Sequence, residues 1–152
     1  MNLPTYLGLL EHAECTLAEA FRSVADAHQS EPDVHLLARK MSGQCDDRAA
    51  RLRPMIERYG EREDQEPERM LMGQFSRERH GGLSLLRDLH DLYVMAHFVA
   101  ITWTMVLQAA QGLRDKELLQ AAEASVAETT GQIRWLRTRM NAAAPQALLV
   151  AR

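Results

Sequence analysis

Three observations predict an all-α chain folded as one four-helix bundle. Apolar residues recur every three to four positions across four windows, at about residues 4–29, 33–59, 83–113 and 116–141. The connections between those windows run short, long, short. The chain has 152 residues, 46% apolar and 26% charged, which suits a soluble domain with a single core, so residues 1–152 are read as one domain.

The first helix opens at Pro4, a residue suited to the first helical position. At about 100° per residue, Leu10, Ala13, Leu17, Ala20, Phe21 and Val24 share one face. In the second helix the stripe is Val34, Leu37, Ala38, Met41, Cys45, Leu52, Met55, Ile56 and Tyr59, and Gly60 closes it. Pro54 is expected to bend this helix, because it cannot donate to Ala50.

Residues 61–82 form the long connection, with a short helical turn expected at about 70–75. Bundle connections are usually about 2 to 8 residues. This one is long enough to run back along a helix of about 40 Å. The third helix is apolar on nearly every side over 94–110 (VMAHFVAITWTMVLQAA). A helix of that kind spans a membrane or is the most buried member of a bundle. Three amphipathic partners favour the buried helix, and no membrane is expected.

A tight Arg114–Asp115 turn leads to the fourth helix, whose stripe is Leu118, Ala122, Val126, Ile133 and Leu136. Pro145 is expected to stop it, leaving an apolar tail, 147–150, to dock on the bundle or on a second protomer.

Composition excludes several functions. A net charge of −3 gives no reason to expect nucleic acid or anionic membrane as a partner. The first residues lack a basic and then apolar leader, so a cytoplasmic protein is expected. Cys15 and Cys45 fit reduced thiols better than a disulfide framework, with a bridge between protomers as the alternative.

Two strings carry a family resemblance: CDDRAARLRPMIERYG in the second helix and TTGQIRWL in the fourth. Together with the short-long-short connections, they make residues 5–141 resemble the ferritin-like superfamily. More closely, the chain resembles the small bacterial ferritin-like proteins of unassigned function. Di-iron members of that superfamily use a Glu on each of two helices and a Glu-x-x-His pair on each of the other two. The positions matching those pairs here are Cys45 with Arg48 and Thr129 with Gln132. No histidine follows a Glu at that spacing: His12, His28, His35, His80, His90 and His97 are preceded by Leu9, Ala25, Pro32, Arg77, Arg87 and Val94. The third helix has no acidic residue between Asp91 and Asp115. Glu14, inward between Leu10 and Leu17, is the one family-type ligand in place, so the resemblance implies a degenerate di-iron site and no cofactor.

An inward carboxylate needs a partner, because desolvating it alone is too costly. Arg48 is the expected partner, with Thr129 and Gln132 supplying hydrogen bonds, Cys45 beside them and Glu128 turned away. Gly43 and Gly131 are read as inward, allowing close helix approach. The favoured function is a non-enzymatic structural or stress-associated binding protein. The alternative is a metal- or haem-binding oxidative-defence protein using Glu14, Cys45 and His97, with Met41 and Met95 as further soft donors. A third class is an enzyme with a polar core pocket for a small ligand. Phe98, Ile101 and Met105 on the third helix, with Trp135 on the fourth, are the candidate surface of a homodimer.

Overall fold

The computed structural model describes residues 1–60 and 80–151. It is all-helical: α1 (Leu3–Ala27), α2 (Pro32–Tyr59), α3 (Ser84–Leu113) and α4 (Lys116–Pro145) form a four-helix bundle, and a π-helical turn (Gln146–Val150) follows α4. The expected turn at 70–75 lies outside the described residues.

Local chemistry sets the ends of the helices. Pro4 and Pro32 occupy first-turn positions of α1 and α2, where a missing N–H costs nothing. Gly60 ends α2 at φ 83°, a conformation that glycine adopts without strain. Arg114 takes φ 55° at the end of α3, and Asp115 then caps α4 by accepting the Leu118 N–H at 3.1 Å. The α2 helix runs without a break through Pro54.

α1 packs on α2 and α3, and α4 packs on α3 and α2. His28, just beyond α1, meets Asp88 in the first turns of α3 at 2.7 Å, so α1 and α3 are antiparallel. Arg58 in the last turn of α2 bonds Asp115 and Glu117 at the start of α4, while Arg139 near the end of α4 bonds Glu31 and Asp33 at the start of α2. These two helices are antiparallel as well. Leu7, Leu10, Leu17, Phe21, Leu52, Leu89, Leu92, Trp103, Leu118 and Leu136 are fully buried between the four.

α3 is long and apolar enough to cross a membrane by length and composition. Ten of its residues, Asp88 and Trp103 among them, are buried within the bundle.

Two expectations need correction. The fourth helix does not end near residue 141 but continues to Pro145, and the chain then winds on as a π-turn closed by Ala151 N–H donating to Gln146 O at 2.9 Å. A proline near a helix end removes only one intrahelical bond, and a wider turn accommodates its ring. Ala147 is buried, Leu148, Leu149 and Val150 are exposed, and Ala151 rests on Gly82, where an added Cβ would fall 2.2 Å from the Ala151 Cβ.

Gly43 and Gly131 are exposed, and a Cβ at either meets nothing within 4 Å. Each glycine lies one residue from a buried one, Ser42 before Gly43 and Gln132 after Gly131, and that 100° step carries it out of the packed face. Glycine in an exposed helix interior is a plain loss, so Gly43→Ala and Gly131→Ala are each expected to stabilise by about 0.5–1 kcal/mol. Thermal melts check this, and a lowered Tm in either variant would contradict the exposed placement.

Candidate functional site

Halfway along the bundle, residues from all four helices converge on the Glu14 carboxylate and the Arg48 guanidinium. Glu14 of α1 and Arg48 of α2 both have fully buried side chains. Arg48 Nε donates to Glu14 Oε1 at 2.6 Å and its Nη2 to Glu14 Oε2 at 3.0 Å, the two-pronged geometry that a planar guanidinium offers a carboxylate. Trp103 of α3, wholly buried, donates its Nε1–H to Glu14 Oε1 at 2.6 Å. From α4, Gln132 Oε1 accepts from Arg48 Nη2 at 3.1 Å, and Glu128 Oε2 accepts from Nη1 at 3.2 Å.

Cys45, one turn before Arg48 on α2, accepts from Nη2 through its sulfur at 3.2 Å. Each guanidinium nitrogen of Arg48 therefore has a partner. The Gln132 side-chain amide donates to Met41 O at 3.3 Å and to Gln44 Oε1 at 3.0 Å, fixing which way the amide points.

The charges balance locally. Arg51 donates to Glu128 Oε1 at 2.9 Å, so two arginines face two glutamates. Burial pulls the Arg48 guanidinium towards losing its proton, and the hydrogen bonds and charge of Glu14 more than offset it, leaving its pKa raised. Burial pushes the Cys45 thiol the other way functionally, up to about 12, against the opposing pull of Arg48. The sulfur is thus a neutral thiol at ordinary pH rather than the thiolate that nucleophilic attack requires.

The structure brings Glu14, Cys45, Arg48 and Gln132 together. Thr129 is buried beside them but donates to its own helix, to Ser125 O and Val126 O, both at 3.0 Å. A threonine inside a helix has those carbonyls within reach at no cost in backbone geometry. Glu128, read from its wheel position as turned away, instead reaches Arg48 from the edge, because arginine and glutamate are long enough to meet across a helix boundary. Trp103 was outside the expected cluster. Its signal was a lone indole N–H in an otherwise apolar helix, a donor that needs a partner once buried.

His97 does not join the site. It is exposed on α3 and packs edge-on against Tyr93, with ring centroids 4.5 Å apart. Glu14, Cys45 and His97 are therefore not brought together as a ligand set, and among the described residues no group of three His, Cys, Asp or Glu side chains is arranged to hold a metal ion. A fixed guanidinium at the centre also opposes a second cation there.

Of the dimer candidates, Ile101 and Met105 are exposed, whereas Phe98 and Trp135 are half-buried against the core. The His28–Asp88 pair, also buried, forms a second polar contact that the apolar periodicity gave no reason to expect.

Comparison with family models, curated proteins and solved structures found no match.

Proposed function

We propose that this chain is a ferritin-like bundle whose metal centre has been replaced by an internal ion-pair cluster, and that it acts as a non-enzymatic structural or binding protein. The observation that carries this reading is the position of Arg48. Its guanidinium occupies the middle of the bundle, shared by residues from α1, α2 and α4, and supplies the positive charge that carboxylates in such a core require.

Helix direction supports the ferritin-like part. Tyr59 ends α2 beside the start of α4, and Ser84 opens α3 beside the end of α1. α2 and α3 therefore point the same way, with the end of α2 and the start of α3 at opposite ends of the bundle. One long crossover in a four-helix bundle is the ferritin-like connectivity.

The site's residues do not fit a di-iron centre. Glu14 accepts three hydrogen bonds from Arg48 and Trp103, and Glu128 pairs with Arg48 and Arg51, so a metal drawn to either carboxylate would compete with an arginine already bound there.

Protein purified from cells supplied with iron, copper and zinc is expected to carry metal well below one ion per chain. A chelator is expected to remove that metal without lowering Tm. About two ions per chain, or one haem visible by absorption, would overturn the replacement reading.

A further inference from the structure

We propose that the outer face of α3 is a homodimer surface on which a second copy of this chain packs its own α3 antiparallel, about a two-fold axis between Val99 and Ala100. On that face Val94 is 60% exposed, Ile101 56% and Met105 42%, with Phe98 half-buried between them. Exposed large apolar groups in a continuous row are unusual on a surface that faces only water.

The charge pattern identifies the occupant. Residues 92–113 contain no Asp, Glu, Lys or Arg. The exposed faces of the other helices carry residues such as Arg22, Lys40, Asp47, Glu123 and Arg137. A partner surface has to be equally free of charge over about 17 Å of helix, or it buries charges without counter-charges. The same face of another copy meets this demand along its whole length.

Spacing supplies the symmetry. Positions 94, 98, 101 and 105 are separated by four, three and four residues, a series that reads the same in both directions. An isologous two-fold contact requires a patch complementary to itself. Antiparallel pairing about the midpoint sets Val94 opposite Met105 of the second copy and Phe98 opposite Ile101. The same register sets Asp91 opposite Gln108 at each end, so no like charges meet. With four apolar side chains from each copy at its centre, the dimer sits at the small end of protein interfaces and is concentration-dependent.

Sedimentation equilibrium of the full chain tests this. Wild type is expected to pass from monomer to dimer with no larger species. Ile101→Glu, at an exposed position, is expected to keep its helical circular dichroism and weaken dimerisation about 100-fold or more, because two carboxylates would be buried against apolar partners. Ala127→Glu on the exposed side of α4 is expected to leave association unchanged. In a Cys15→Ser background, Val94→Cys with Met105→Cys is expected to form an oxidised dimer that neither single variant forms. A wild type that stays monomeric, or an Ile101→Glu protein that dimerises as tightly, overturns the proposal. So does a monomer that floats with phosphatidylcholine vesicles, which would assign the face to lipid.

Discussion

Replacing Arg48 by methionine is expected to destabilise the bundle by about 3–5 kcal/mol, because it strands the Glu14 carboxylate in a core that water does not reach. For a chain of this size that corresponds to a fall in Tm of roughly 6–20 °C. The methionine fills a similar volume, so the loss comes from the uncompensated charge rather than from a cavity. After the change Glu14 keeps the Trp103 N–H and loses both Arg48 bonds. Glu14→Gln is expected to destabilise in the same direction. It preserves shape and leaves Arg48 with Glu128, which is partly solvated, and with Gln132. The double variant Glu14→Gln/Arg48→Met is expected to be less destabilised than the sum of the singles, since no buried charge remains. Urea unfolding of all four proteins, read as a double-mutant cycle, gives the coupling directly. Singles with wild-type stability would mean that the pair does not hold the centre of the bundle.

The magnitude of that effect should not be read as the net worth of the cluster. A buried ion pair stabilises weakly, if at all, relative to well-packed apolar residues. What it does supply is directionality. Glu14 accepts from α2 and α3, and Arg48 donates to α1 and α4, so a slip of any helix by one turn breaks bonds that apolar contacts would forgive. On the proposed reading, the cluster keeps the register that a bound metal would otherwise impose on four converging helices.

The helices were legible because burial writes a period into the sequence. Leu10, Leu17 and Phe21 on α1, or Leu118, Ala122 and Leu136 on α4, are apolar because their neighbours in space are apolar. The inward placement of Glu14 and Arg48 was legible for the same reason, as polar interruptions of an apolar stripe. Side-chain reach was not legible. A helical wheel assigns Glu128 by its Cα direction, while the carboxylate that meets Arg48 and Arg51 lies several bonds away. His97 shows the converse: on a helix that is apolar nearly all round, the wheel has no polar side to define, and only packing against α1 and α4 decides which residues face out. Gly43 and Gly131 contribute no hydrophobicity to either face, so their direction had to come from the structure. His28 and Asp88 belong to helix ends, where position depends on how neighbouring helices stagger rather than on any local period.

Native Cys45 is expected to be about a thousandfold poorer in thiolate than an ordinary cysteine at pH 8, given a thiol raised from 9.0 to about 12 by burial. Since thiolate is the reactive form, a thiol reagent is expected to titrate one cysteine in the folded protein, the half-buried Cys15, and the second only on unfolding in urea. Fast modification of both in the folded state would contradict the sealed site. The same shift makes stability fall in alkali. The folded state keeps the Cys45 proton above pH 9, where the unfolded chain releases it, so the protonated thiol's contribution is whole below pH 9 and is lost as pH rises towards 12. The slope is about 1.4 kcal/mol per pH unit in that window, or roughly 2 kcal/mol by pH 10.5. Tyr59, whose hydroxyl is raised by burial and by its bond to Asp115, adds a loss of the same sign above pH 10. Cys45→Ala separates its share: it is expected to reduce the decline between pH 9 and 10, leaving the part from Cys15, whose thiol burial also raises, and the Tyr59 part. Urea midpoints at half-unit pH steps measure both curves. An identical decline in wild type and Cys45→Ala would remove Cys45 from the account of the site.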